Sequence, residues 1–234
     1  MLRHIHYEEL GQANYGWLNA HYHFSFANYY NPLRMGYGAL LVVNDDLIAG
    51  QSGFPPHGHK DMEIITYVRR GAISHKDSEG NEGVTLAGNV QVMSAGKGIK
   101  HSEWNSADEE TSLYQIWIHP REKGVTPRWD AAEFPQEPVK DQLNLLVSGD
   151  GSAPLMIHQD AKIFAGQLLK GTELKHQLEK LGYLLVSQGR VTVQQGENVV
   201  ALKKGDACEI GFGETFSILS TTDAEILVLD IPNA

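Results

Sequence analysis

The apolar runs of this chain are short, and that constrains its fold more than any other feature. Residues 39–43 precede Asn44, Asp45 and Asp46, residues 62–68 precede Gly71, and residues 113–118 precede Pro120. Residues 143–147, 183–186, 190–194, 198–202 and 225–231 repeat the theme. Val, Ile, Leu and Tyr fill these runs, and turn residues close them. Such segments read as strands, and their close spacing predicts an all-β sandwich or barrel. Helical periodicity is scarce. Residues 172–181 carry a candidate cap at Thr172 and place Leu174 and Leu178 four apart. Those leucines also fit one face of a strand, and a strand is expected there.

A weak internal repeat accompanies the strands. Tyr67–Val68–Arg69–Arg70 runs into Gly71, with Gly88 seventeen residues later; Leu185–Val186–Ser187–Gln188 runs into Gly189, with Gly205 sixteen residues later. Two copies of one β-unit, offset by about 118 residues, would produce this pattern. Glycine turns at similar intervals in any β-rich chain would produce it too. The acidic, proline-bearing stretch 131–141 is the expected boundary, giving domains 1–130 and 131–234.

Composition narrows the partners. Nineteen Lys and Arg against 29 Asp and Glu leave a formal charge of 19 − 29 = −10. Nucleic-acid grooves and anionic membranes need clustered cations, so neither is expected as a direct partner. Hydrophobic residues reach 41%, enough for a packed core. Cys208 is the only cysteine, which excludes an internal disulfide and fits a reducing compartment. The first residues lack an apolar signal segment, and no run approaches the ~20 residues of a membrane span. A soluble, cytoplasmic protein is expected.

Eleven histidines hold the chemistry. In Gly53-Phe54-Pro55-Pro56-His57-Gly58-His59, the two imidazoles are two apart, so a strand turns both to one face. Some forty residues on, His101 and Glu103 repeat the spacing. If the two strands face each other, three imidazoles and one carboxylate converge on one ion. Without a thiolate, a structural zinc knuckle is disfavoured; these donors suit iron first, and also manganese, nickel, copper or zinc. On a six-coordinate ion such a set leaves two positions open, one for a substrate oxygen and one for dioxygen or water. The pairs His4/His6 and His21/His23 lack a partnering H-x-E. His75, His119, His158 and His176 stand alone and read as surface or packing residues.

The first segment resembles the first cupin motif: H-x-H, three residues, Glu63, then Gly71 one position late. Gly98-x-x-His101-x-x-x-Asn105 resembles the second, with Gly96 where proline is common. More widely, His23-Phe24-Ser25-Phe26-Ala27-Asn28-Tyr29-Tyr30, His57 to Glu63, Ser94 to Glu103 and Leu113-Tyr114-Gln115-Ile116-Trp117-Ile118 resemble the pirin family. That resemblance implies a bicupin: two stacked β-barrels of the double-stranded β-helix, jelly-roll type. It implies one metal, usually iron, held in the first barrel by His57, His59, His101 and Glu103. Glu63 is generally not a ligand in pirins and is expected to do structural work. The 118-residue offset maps His57 and His59 onto Lys175 and Gln177, and the 117-residue offset of the later turn maps His101 and Glu103 onto Ile218 and Ser220. His176 falls one residue out of step, so the second half is expected to hold no metal.

Several bacterial pirins are similar to quercetin 2,3-dioxygenases, and nuclear animal members act as coregulators. The leading expectation is a metal-dependent dioxygenase that opens a quercetin-like flavonol with O2. Glu103 would be both ligand and acceptor of the substrate proton, since an imidazole ligand has no free basic site. Phe54, Pro55, Pro56 and Met93 are candidates for an apolar pocket wall. The alternative is a metal-binding regulatory module whose output is protein contact. The chain shows no G-x-S-x-G elbow, no G-x-G-x-x-G fingerprint and no complete P-loop. Cys208, beside Ala207 and Ile210, reads as core.

Overall fold

The computed structural model describes residues 1–233. The described residues form no α-helix, one 3-10 turn at Tyr7–Glu9, and strands throughout. These are β1 (Leu2–Ile5), β2 (Gly11–Asn14), β3 (Leu18–Tyr22), β4 (Leu40–Ile48), β5 (Ser52–His59), β6 (Glu63–Arg70), β7 (Ala72–Asp77), β8 (Glu82–Leu86), β9 (Val90–Ser94), β10 (Ile99–Asn105) and β11 (Thr111–Ile118). They continue with β12 (Arg128–Ala132), β13 (Asn144–Ser148), β14 (Leu155–Met156), β15 (Lys162–Leu168), β16 (Glu173–Gln177), β17 (Leu181–Gln188), β18 (Arg190–Gln195), β19 (Asn198–Lys203), β20 (Ala207–Ile210), β21 (Thr215–Ser220) and β22 (Ala224–Ile231). The ambiguous segment around Leu174 is strand β16, as its face pattern suggested. No helix is long and apolar enough to cross a membrane.

Two compact units emerge. One comprises Gly11–Pro135 with Gly149–Asp160; the other comprises Met1–Leu10, Gln136–Ser148 and Ala161–Asn233. A single cut between residues 130 and 131 therefore does not describe the division. The reasons are local. Strand β1 pairs antiparallel with β20, from Leu2 opposite Ile210 to Ile5 opposite Ala207. In the other unit, Gln159 donates its Nε2 to the His119 carbonyl and Arg128 donates Nη1 to the Met156 carbonyl, each at 2.8–2.9 Å.

Within each unit a long sheet is accompanied by a four-stranded one. The first unit orders them β12-β9-β6-β11-β4-β3-β2 and β5-β10-β7-β8. The second has β1-β20-β17-β22-β15-β13 and β16-β21-β18-β19. The two orders match strand for strand from β12 and β1 inward. Gly71 and Gly189 close equivalent hairpins at φ 76° and 75°, in the left-handed region that glycine enters freely. The repeated glycine turns thus reflect repeated topology.

The cores follow the alternation of the strands. Leu18, Ala20, Tyr22, Ile48, Val68, Ile73 and Leu113 form a buried cluster in the first unit. Leu174, Leu184, Val186, Val193, Phe216, Ile218 and Val228 belong to the core of the second. Fully burying a side chain of this size stabilises by about 1.5–3 kcal/mol. One expectation fails instructively. Asn44, Asp45 and Asp46, which read as a turn, lie inside β4 and are buried. Asp45 forms an ion pair with Arg69, while Asn44 and Asp46 face a cavity on the other side of the strand.

Candidate metal centre

Strands β5 and β10 pair antiparallel, with His101 opposite His57 and Ile99 opposite His59. The register then shifts, so that Glu103 stands opposite Phe54. The extra residue falls on β5 at Pro55 and Pro56, which have no amide N–H to give to a ladder. Gly53 is needed here: a Cβ on it would lie 2.2 Å from the Glu103 carbonyl oxygen and 2.6 Å from the Trp104 Cα. Gly58 is different. Its Cβ would meet nothing closer than 3.7 Å, so the spacing of the two histidines does not depend on it.

The three imidazoles converge. One ligand atom from each of His57, His59 and His101 lies within 4.8 Å of the others, and their ring centroids are 4.5–5.0 Å apart. The Nδ1–H of His57 donates to the Pro55 carbonyl at 2.8 Å, which leaves its Nε2 for an ion. The Nε2 atoms of His59 and His101 are buried without a hydrogen-bond partner. A buried polar atom left in that state costs on the order of 1–3 kcal/mol, and a cation would satisfy both. Burial, reinforced by the neighbouring imidazoles, holds His101 down at about 3, and burial and His57 hold His59 at about 4. The His59 and His101 rings are therefore neutral near pH 7, and their nitrogens are available as donors. These features fit a divalent ion bound through nitrogen.

Glu103 lines the same cavity but is not within the three-imidazole cluster. Its Oε1 accepts from Thr66 Oγ1 at 3.0 Å and Gln91 Nε2 at 2.7 Å, and its Oε2 accepts from Gln115 Nε2 at 2.5 Å. Burial pushes its pKa up, against the hydrogen bonds and the nearby histidines. The cavity is about 270 Å³, with walls that include Tyr22, Phe26, Phe54, Pro55, Ile64 and Trp117. The polar groups in it are few, as a site for a largely aromatic molecule requires. Trp117 meets the His59 ring at 4.9 Å and 83°. Of the expected wall residues, Phe54 and Pro55 are present. Pro56 faces solvent, and Met93 packs with Ile64, Ala95 and Ile99. Glu63 accepts a 2.7 Å hydrogen bond from Ser94 Oγ at one oxygen, its other oxygen is buried without a partner, and it lies away from the cavity lining.

Two histidines differ from expectation. His75 is not a surface or isolated packing residue: it is buried beside His101, two positions before Asp77. The spacing His75-x-Asp77 after a glycine turn was the available signal. In the second unit, Phe216 stands opposite His176 as Ile99 stands opposite His59, so the offset is 117 and His176 is in step with His59. The same register puts Leu174 and Ile218 where His57 and His101 stand, and His176 packs edge-on against Phe164 at 4.7 Å. One imidazole among apolar neighbours does not make a metal site. His4 and His6 do gather with Asp206. Both Asp206 oxygens are already engaged, by the amides of Tyr7 and Lys203 and by the His4 ring, and Arg190 and Lys203 flank the group.

Comparison with known proteins bears on the fold and the family. The family model described as Pirin matches residues 4–118, and the one described as Quercetinase C-terminal cupin domain matches residues 145–231. A quercetin 2,3-dioxygenase from Escherichia coli is 44% identical over 227 residues, covering 96% of both chains. A pirin-like protein from Caulobacter vibrioides is 45% identical over 228 residues, covering 96% of this chain and 97% of the relative. The crystal structure of the bacterial pirin YhhW from E. coli in complex with nickel(II) superposes with a TM-score of 0.91 at 41% identity, covering 100% of each chain. The long and four-stranded sheets of each unit are thus the two cupin units of a bicupin, and the chain belongs to the pirin family.

Proposed function

We propose that this protein is a mononuclear metal dioxygenase that opens the ring of quercetin-like flavonols with O2. The observation that carries the reading is the convergence of three imidazoles, two with unpartnered Nε2 atoms, at an aromatic-walled cavity. His57, His59 and His101 would hold the ion, with Glu103 as its fourth ligand. Iron is the ion we favour, because nitrogen and carboxylate donors with open positions suit oxygen chemistry; nickel(II), held by the E. coli relative, suits the same donors. When bound, the ion would act as a Lewis acid and template for the substrate's hydroxyl oxygen.

The chain supplies the rest. Phe26, Phe54 and Trp117 offer flat apolar faces to the substrate rings and keep water from them. Glu103 takes the proton released from the substrate hydroxyl, and Gln115, Gln91 and Thr66 orient the carboxylate for that role. The second unit, with Leu174 and Ile218 at the equivalent positions, is structural, so one ion binds per chain. The single buried thiol fits a cytoplasmic setting.

The test is the decay of quercetin's visible absorbance. It should require both O2 and metal, and Glu103→Ala should abolish it. Decay at an unchanged rate in Glu103→Ala, or in demetallated protein, would sink the reading.

A further inference from the structure

Behind His101, on the side away from the cavity, lies a chain of buried groups that the reaction scheme does not use. Strand β10 pairs on its other edge with β7, with His101 opposite Asp77 and Glu103 opposite His75. The side chains of His75 and Asp77 are both fully buried. His75 Nε2 lies 3.0 Å from Asp77 Oδ2, and His75 Nδ1 lies 3.5 Å from His101 Nδ1, a long contact. Trp129 stacks on the His75 ring at 4.8 Å and 9°, which fixes the ring plane.

The tautomers follow from these contacts. A carboxylate only accepts, so His75 carries its proton on Nε2 and gives it to Asp77. Its Nδ1 is then an acceptor, and the atom facing it, His101 Nδ1, must be the donor. That leaves His101 Nε2 bare. We propose that Asp77 and His75 act as positioning residues that lock His101 into the tautomer able to bind metal. The proposal rests on the reading of His101 as a ligand. The other ring nitrogen of a metal-bound histidine commonly donates to a carboxylate, carbonyl or water, and losing such a partner costs 10–100-fold in metal affinity. Here an imidazole stands between the ligand and the carboxylate.

This arrangement makes an unusual demand on Asp77→Asn. The amides of Glu79 and Asn81 donate to Asp77 Oδ1 at 2.9 and 3.0 Å, so the variant's carbonyl oxygen stays on the turn and its NH2 faces His75. The Asn81 amide, which donates to Oδ2 at 2.9 Å, can rotate to present its oxygen. His75 must then accept at Nε2 and carry its proton on Nδ1. His101 must accept at Nδ1 and carry its own proton on Nε2, the atom meant for the ion. His75→Phe, by contrast, keeps a ring against Trp129 and leaves His101 free to choose.

The experiment is nickel(II) binding to demetallated protein, read by competition with a coloured chelator, with folding checked by circular dichroism. His75→Phe should bind about 10–100-fold more weakly than wild type. Asp77→Asn should be weaker still, and the double variant should return to the affinity of His75→Phe, because without His75 the amide has no route to His101. If Asp77→Asn binds as well as His75→Phe or better, the proposal fails. It fails equally if the double variant is no better than Asp77→Asn, since damage to the turn would do that. Wild-type protein that binds no nickel would instead overturn the assignment of His101 as a ligand.

Discussion

Glu63 and Glu103 are both buried carboxylates on strands of the first unit, yet their neighbours give them different work. Glu103 shares a cavity with three histidines and is held by amide and hydroxyl donors from three other strands. Glu63 has no exposed surface, accepts from Ser94 at one oxygen while the other has no partner, and its pKa is raised by burial. The H-x-H-x3-E pattern alone could not separate a ligand from a brace, because strand geometry puts both kinds of residue at regular intervals. Removing Glu63 should leave the buried Ser94 hydroxyl without its acceptor and spare metal binding. Glu63→Ala is expected to lower unfolding stability by about 1–3 kcal/mol, the cost of orphaning a buried partner. Denaturant melts would read this, and nickel stoichiometry should stay at wild-type level. Lost nickel binding with unchanged stability would mean that Glu63 belongs to the metal site.

At the scale of strands, the pairing of β5 with β10 sets the site, and two glycines divide the work. At Gly53 a Cβ would enter backbone atoms of β10, whereas at Gly58 it would meet only ordinary contacts. Gly53→Ala should therefore force the strands apart at the register shift, destabilise by roughly 1–3 kcal/mol and weaken metal binding. Gly58→Ala should stay within about 0.5 kcal/mol of wild type and keep its metal. Thermal melts with nickel titration on the pair would show this, and equal effects at the two positions would contradict it. The spacings of His57 with His59 and of His101 with Glu103 were readable because a strand's period of two is local. The short apolar runs and paired glycine turns were readable for the same reason. The polar triplet at Asn44 was not, because its burial depends on Arg69 and on a cavity, both supplied by distant sequence. His75 escaped notice because its meaning lies in the register between β7 and β10. The step in register that takes Glu103 out of line with the histidines is likewise a property of two strands together.

For the whole molecule, buried neutral histidines make stability depend on pH. His176 in the second unit is held down at about 4 by burial against Phe164 and Phe216. His23 in the first is held at about 3 by burial and by the charge of Arg34. Unfolded, each would titrate near 6.5. Between that value and the folded one the unfolded chain binds more protons, so acid favours unfolding. The stabilisation is complete above pH 6.5 and is lost as pH falls towards 4. For His176 the shift corresponds to something on the order of 3 kcal/mol. Asp230 works in the opposite sense: its pKa is raised by burial, so the folded state keeps its proton more firmly and gains as pH falls. His59 and His101, held down at about 4 and about 3, add an acid sensitivity of their own, so the wild-type curve alone cannot isolate one group. The difference between wild type and His176→Leu can. Leucine suits the apolar neighbours, and the variant's unfolding free energy should fall less steeply than that of wild type between pH 6.5 and 4.5, with the two curves running parallel above pH 7. Chemical denaturation across that range measures it, and parallel curves throughout would show that His176 takes up its proton without unfolding.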